Sequence, residues 1–285
     1  MSGGEQKLAD SPGKFMQVVA DGRKAGGAEW QTGRFLLSNK RLIIATNEGK
    51  RTIPLSKLTS IKSRENVNEA VASVSNYLSI QFDQDVLLIS PKDQESFEEK
   101  LYGAVLDQQV VLVKYPAVKG GVVQEVEWEK ARLKLGEETV DLAISSGTFV
   151  EIELDDVGAV ETTERTVLGE ERRVVEIEHS VEEAVVQTHI SGPTRVVGVL
   201  AGLVTSGREA ADTDLTEEEF EVLMALYSGV SPFKIPDFVG MDVERVEEIF
   251  DDLVESGLLE EVRTRREISL QARGRNIASE VMENQ

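Results

Sequence analysis

Between Gly33 and Lys62 apolar residues come in short runs separated by polar turns, and the same order returns between Ala131 and Glu161. Arg34 falls on Arg132, Leu37 on Leu135 and Leu42 on Val140, each 98 positions later. Beyond the turn glycines, Gly49 and Gly147, the offset becomes 99: Ile53 on Ile152, Leu55 on Leu154, Leu58 on Val157, Ile61 on Val160. A one-residue slip in a turn is the kind of insertion a surface loop tolerates. Each stretch reads as two short strands, a glycine turn, a third strand and a closing apolar hook, so the chain carries an internal duplication.

Around that repeat the pattern extends in both directions. Residues 1–13 are rich in Gly, Ser, Asp and Pro and are expected to fray. Phe15–Ala20 reads as a first strand, with Gln109–Val113 as its counterpart because QVVLV echoes QVVA. Tyr77–Phe82 and Val86–Ile89 read as strands. A helix is expected to open at Ser90, with Pro91 in its first turn and Phe97, Leu101, Ala104 and Val105 on one buried stripe. In the second copy, strands are expected at Val122–Leu135, Thr139–Ser145, Thr148–Leu154 and Arg172–Glu178. A closing helix follows from Pro193 to about Val204. Gly198 and Gly202 stand four apart in it, which smooths one helix face for close packing on a sheet. The spacing carries little weight as a membrane-dimer signal outside a long apolar span.

The C-terminal segment is the most legible. Thr216 and Glu219 form a capping box, with Leu215 and Phe220 as its hydrophobic staple. Gly229 stops that helix, and Ser231-Pro232 starts a short second one that Pro236 distorts. Asp242 caps a third helix with Val243, Val246, Ile249, Phe250, Leu253 and Val254 on its buried face, and Gly257 ends it. Leu258–Val262 and Glu267–Leu270 read as a hairpin and Gln271–Met282 as a last helix. The fold class expected is α+β: two tandem PH/GRAM-like antiparallel β-barrel modules, each closed by a C-terminal helix, then a winged helix-turn-helix. The boundaries are 14–108 and 109–206 for the modules, 207–213 for a linker (within SGREAADT) and 214–285 for the winged helix. The barrel assignment is an analogy of strand order, and such barrels carry many functions.

Charge and composition narrow the chemistry. There is no cysteine, which removes disulfides, thiolate catalysis and Cys-ligated metals. No apolar run approaches the ~18 residues of a membrane span, and the N-terminus has no signal pattern, so a cytoplasmic protein is expected. The net charge is −21. Residues 1–110 carry 14 acidic and 14 basic groups, 111–207 carry 18 and 9, and 208–285 carry 20 and 8. Such carboxylate excess is a solubility device of salt-loving microbes, here read as an archaeon, with an ordinary acidic cytosolic protein as the alternative.

No catalytic constellation stands out, so an enzyme and a cofactor are not expected. His179 and His189 lie ten apart without helical ligand spacing and read as strand or loop residues. The acidic pairs Asp155-Asp156, Glu182-Glu183 and Asp251-Asp252 read as solvated surface. Gly120-Gly121 lacks the Lys-Ser/Thr of a phosphate loop. A winged helix usually offers its recognition helix to the major groove. Here that helix exposes Glu244, Arg245, Glu247, Glu248, Asp251, Asp252 and Glu255, six carboxylates against one guanidinium, which phosphates would repel. The basic cluster is instead Arg263, Arg265, Arg266, Arg273 and Arg275, which suits a protein partner better than a duplex. Lys40, Arg41, Lys50 and Arg51 would be the headgroup contacts if the first module bound lipid.

The duplicated stretch together with the tail SPFKIPDFVGMDVERVEEIFDDLVESGLLEEVRTRREISLQARGRNIASE (231–280) resembles the archaeal chemotaxis CheF family. The resemblance spans roughly Lys14 to Glu280 and rests on a long pattern, not on a short motif. It implies an adaptor between the phosphorylated CheY response regulator and the archaellum switch proteins FlaC, FlaD and FlaE, recruited from the cytoplasm to the motor base. Nucleic acid is not an expected partner, and the sequence does not fix the oligomeric state. The alternative is a transcription regulator whose barrels sense a ligand.

Overall fold

The structure is a computed structural model that describes residues 4–26, 29–63, 77–182, 184–211 and 215–259. It divides into two compact units, Met1–Asp212 and Thr213–Gln285. In the first unit two antiparallel sheets follow one another. The first holds β1 (Lys7–Ala20), β2 (Arg23–Lys24), β3 (Gln31–Ser38), β4 (Arg41–Thr46), β5 (Gly49–Pro54), β6 (Leu58–Ser63), β7 (Leu78–Phe82) and β8 (Asp85–Pro91). The second holds β9 (Val110–Lys119), β10 (Val122–Val123), β11 (Glu129–Leu135), β12 (Thr139–Ile144), β13 (Phe149–Glu153), β14 (Ala159–Val167), β15 (Glu170–Val181) and β16 (Ala184–Ser191).

Among the described residues the strand orders are β5-β4-β3-β1-β8-β7-β6 and β13-β12-β11-β9-β16-β15-β14, the same path eight strands on. The register repeats as well. Arg34 faces Ala45 and Leu37 faces Leu42; 98 residues later Arg132 faces Ala143 and Leu135 faces Val140. Leu42 opposite Ile53 becomes Val140 opposite Ile152, with the predicted slip in the turn. Ile61 faces Ile80 as Val160 faces Ile177. A shift of one residue would carry each apolar set to the other face, so this agreement is demanding.

Several expectations need correction. Residues 7–13 are not frayed but form the first half of β1, paired with β3 and β8. The counterpart of Gln109–Val113 is therefore Ser11–Phe15, not the QVVA echo, since Phe15 faces Gln31 where Val113 faces Glu129. Proline and glycine hid this strand; Gly13 is required because a Cβ there would meet Ser90 O at 2.3 Å. Ser90 and Pro91 belong to β8, and the helix α1 (Gln94–Leu106) starts after Asp93. Val122–Leu135 is split into β10 and β11, while β14 and β16 lie where no strand was expected. The helix α2 (Thr194–Ala211) runs on through most of the supposed linker.

The main apolar core of the first unit draws Phe35, Leu42, Ile80 and Phe97 from the first repeat and Leu133, Leu142, Ile177 and Leu200 from the second. The helices were expected to close their own sheets. Instead α2 lies chiefly along β6, an edge strand of the first sheet, and also touches β14 and β15. A Cβ on Gly198 would stand 2.1 Å from Thr59 O, and one on Gly202 would stand 2.0 Å from Ile61 O. The Gly-x-x-x-Gly spacing thus brings helix backbone onto a strand edge that would otherwise expose its carbonyls. Tyr102 of α1 donates its hydroxyl to Ile61 O at 3.2 Å.

In the second unit, α3 (Glu217–Tyr227) starts with the predicted Thr216/Glu219 capping box. Leu215 packs on the small core, whereas Phe220 is left exposed. A 3₁₀ turn at Pro232–Lys234 leads into α4 (Ile235–Val239), with Pro236 tolerated in its first turn. The buried stripe of α5 (Val243–Glu255) is narrower than expected: Val246, Ile249 and Leu253 are buried, but Val243 and Val254 are exposed. The expected hairpin beyond Leu259 and the final helix lie outside the described residues.

Candidate interaction surfaces

Each sheet curls until its first edge strand approaches strands far along its order. On β5, Arg51 donates to Gln17 Oε1 of β1 at 2.7 Å and pairs with Asp85 of β8 at 2.6 Å. Its guanidinium also lies 5.1 Å over the Phe82 ring of β7. In a flat sheet, β5 and β8 would be separated by roughly 19 Å, four steps of ~4.8 Å, well beyond an arginine's reach. The pair therefore closes the end of a half-barrel. Of the four lipid candidates, Arg51 is taken up in this closure and Arg41 by Glu5, which accepts both of its bonds at 2.7 and 2.6 Å. Those bonds, with one from Ser38, hold the Glu5 carboxyl down at about 2. Lys40 and Lys50 remain exposed.

The same end of the second sheet is built differently. By register, Gln17, Arg51, Phe82 and Asp85 correspond to Tyr115, Val150, His179 and Val186. No ion pair can form among them, and an open slot of about 360 Å³ lies between Tyr115, Phe149, Val150 and Val181. Phe149 stands exposed at its rim. His179 is buried, with Nε2 2.9 Å from Thr188 Oγ1 and Nδ1 3.3 Å from Ser180 O. Burial pulls its pKa below the usual histidine value.

His189 sits on the opposite face of the second sheet, 3.5 Å from Glu176. Arg165 binds both oxygens of Glu176 at 2.5 and 2.7 Å, and Thr163 also donates to it. These bonds, that of Arg165 foremost, lower the Glu176 pKa; desolvation lowers that of His189 despite the nearby carboxylate. Both histidines lie in strands, and among the described residues no three His, Asp or Glu side chains are grouped to hold a metal. The cluster is a satisfied buried polar network.

A larger concavity, about 720 Å³, opens where the two repeats meet. Its floor is apolar, with Leu135 and Leu154 from the second repeat, Leu203 from α2 and Ala104 from α1. Around them stand Glu95, Glu98, Glu99 and Asp107 from α1 and its end, and Glu137 from the turn between β11 and β12. Reading each repeat as self-contained hid this seam; the acidic first turn of α1 was its visible trace.

In the second unit Glu244, Arg245, Glu247, Glu248, Asp251 and Asp252 are all exposed, as expected. Arg245, the only cation of α5, is tied to Glu218 at 2.7 Å and Glu248 at 3.0 Å, so α5 itself supplies no free counter-charge to its acidic face. Arg263, Arg265, Arg266, Arg273 and Arg275 lie outside the described residues. No described helix is long and apolar enough to cross a membrane.

Comparison with known proteins adds the family. Residues 7–210 match the family described as archaeal chemotaxis signal transduction system protein F, and residues 214–283 match a domain family of unknown function. The chain is similar to the taxis protein CheF1 of Halobacterium salinarum, 49% identical over 99% of each chain. It is also similar to the taxis protein CheF2 of the same organism, 25% identical over 98% of each.

Proposed function

Because the chain belongs to the archaeal chemotaxis CheF family, we propose that it is a non-enzymatic adaptor in taxis signalling. It receives the phosphorylated CheY response regulator and passes the signal to the archaellum switch proteins FlaC, FlaD and FlaE, from the cytoplasm at the motor base. The observation that carries this reading is the family match, which runs through both sheets and both of the helices that pack on them. The sheets are proposed as PH/GRAM-like modules and the second unit as a winged helix-turn-helix.

An adaptor needs only a surface that prefers the phosphorylated state; tighter binding of that state shifts the population toward it. Arg263, Arg265 and Arg266, with Arg273 and Arg275 behind them in sequence, are proposed as an ion-pairing rim for an acidic partner. Reversing Arg265 and Arg266 to Glu should weaken phosphorylated CheY at least about tenfold in a calorimetric titration at matched salt. Unchanged affinity removes these arginines from the interface.

The second reading, a transcription regulator, is favoured by the helical order of α3, α4 and α5. It is opposed by the acidic exposed face of α5, which would meet phosphate with like charge. A gel shift against genomic DNA at native salt separates the two readings: a saturable, sequence-selective shift would favour the regulator.

A further inference from the structure

We propose that the groove at the seam of the two repeats is a docking site for a basic protein segment carrying apolar side chains. The concavity of about 720 Å³ has the size of a ligand-binding pocket, not of a packing defect. Leu135, Leu154, Leu203 and Ala104 are all only partly buried, so the floor keeps apolar surface in water. Leu154 is backed by α2, where a Cβ on Gly207 would lie 2.7 Å from the Leu154 Cβ, so that side of the floor is preformed.

The rim chooses the occupant. Among the described residues, Glu95, Glu99, Asp107 and Glu137 line the groove beside one ammonium, Lys100, whose Nζ donates to Ser96 Oγ at 2.7 Å. This is not merely the acidity of the whole chain. Residues 1–110 are charge-balanced, 14 against 14, yet α1 turns Glu95 and Glu99 to this groove. An acidic or neutral segment would leave those carboxylates uncompensated as water is expelled; lysines and arginines would pair with them while apolar neighbours cover the leucines. Because both repeats, α1 and α2 contribute to the lining, an occupant would hold the two sheets at one mutual setting. The site lies wholly within the first unit, so it stands whether or not the C-terminal arginines bind CheY.

The test uses the full-length protein and a fluorescein-labelled synthetic peptide of alternating Lys/Arg and Leu, followed by anisotropy at matched salt. A peptide with Glu replacing Lys/Arg is the control. The triple variant Glu95→Gln/Glu99→Gln/Glu137→Gln should bind the basic peptide at least about tenfold more weakly. Neutralising three carboxylates elsewhere, Glu244→Gln/Glu247→Gln/Glu248→Gln on α5, should change binding less than about twofold. Hydrogen exchange on the unmodified protein should show peptide-dependent protection in 94–107 and 135–139, a readout that needs no variant. Equal weakening by both triple variants, protection elsewhere, or no binding of the basic peptide by the unmodified protein overturns the proposal.

Discussion

Across the first sheet Met16, Leu88, Ser79 and Lys62 stand opposite one another in a row; across the second the equivalent row is Lys114, His189, Glu176 and Glu161. On the first sheet Met16 and Leu88 pack with Tyr77, Val18 and Trp30 in a small apolar cluster. On the second, Glu176 and His189 are buried nearly as deeply but through hydrogen bonds and an ion pair with Arg165. The duplicated part is thus the strand lattice and the face that builds the shared core. The other face, and the end that Arg51 closes in the first sheet and that stays open around Val150 in the second, took different chemistry. What tolerates divergence here is the side chain on a fixed register, not the register itself.

The closing helices give the comparison its strongest test. In α1, a Cβ on Gly103 would meet nothing within 4 Å, whereas Gly198 and Gly202 of α2 are pressed against strand carbonyls. Gly202→Val should destabilise the protein by about 3 kcal/mol or more, the upper range for overpacking, because the obstacle is backbone and cannot rotate away. Gly103→Ala should instead be neutral or stabilise by about 0.5–1 kcal/mol through helix propensity. Denaturant midpoints of the two variants would check this. A mild Gly202→Val would mean that α2 does not rest on β6 as described.

A smaller effect separates the two sheet ends. Arg51→Ala removes a part-buried guanidinium from Asp85, Gln17 and the Phe82 face, and about 1–2 kcal/mol of stability should go with it. The double variant with Asp85→Ala should recover part of that loss, giving a coupling near 1 kcal/mol. Val150→Ala, at the equivalent position of the second sheet, should lose only a buried-methyl cost and show no coupling with Val186→Ala beyond packing. Additive Arg51 and Asp85 effects would show that the closure is incidental.

Much of this was readable from the chain, and each failure has a physical cause. Local signals were reliable: the Thr216/Glu219 box, the Gly229 and Gly257 stops at φ of 79° and 72°, and the apolar positions of the duplicated strands. The beginning of β1 was hidden because Pro12 and Gly13 read as breakers, although Gly13 is there for a close backbone approach. The two tryptophans, Trp30 and Trp128, are 98 apart and would have fixed the first-strand alignment that the QVVA echo misled. β14 went unread because its ETTERT stretch is too polar to look like a strand; its partner β15 holds it in place. The seam groove was illegible for a further reason: it exists only once α1, the stretch 135–139, Leu154 and Leu203 of α2 meet, and the acidic turns of α1 alone do not encode that meeting.

The least forceful difference is also the most specific to one repeat. Both histidines of the chain lie in the second sheet, and His179 and His189 stand where the first sheet has Phe82 and Leu88. Desolvation lowers both pKa values below the ordinary histidine value of about 6.5, so the folded protein keeps them neutral near pH 7. His189 faces Glu176, Arg165 and Lys114; the carboxylate opposes the shift and the two cations assist it. As pH falls through 6.5, the unfolded chain takes up protons that the folded one refuses, and stability drops until the folded pKa values are reached. Each group can contribute at most about 1.4 kcal/mol per pH unit over that window. Glu176 adds no slope there, because its hydrogen bonds, that of Arg165 foremost, lower its pKa further from this window and it stays ionised. Installing the first sheet's residue, His179→Phe, should therefore flatten the fall in denaturant midpoint between about pH 7.5 and 5.5 without touching the first repeat. His189→Leu should flatten it too, but at a cost in absolute stability, since Glu176 loses a polar neighbour and, among the described residues, keeps Arg165 and Thr163 as partners. Parallel curves for the His179→Phe variant and the unmodified protein would mean that this histidine is already free to titrate in the fold.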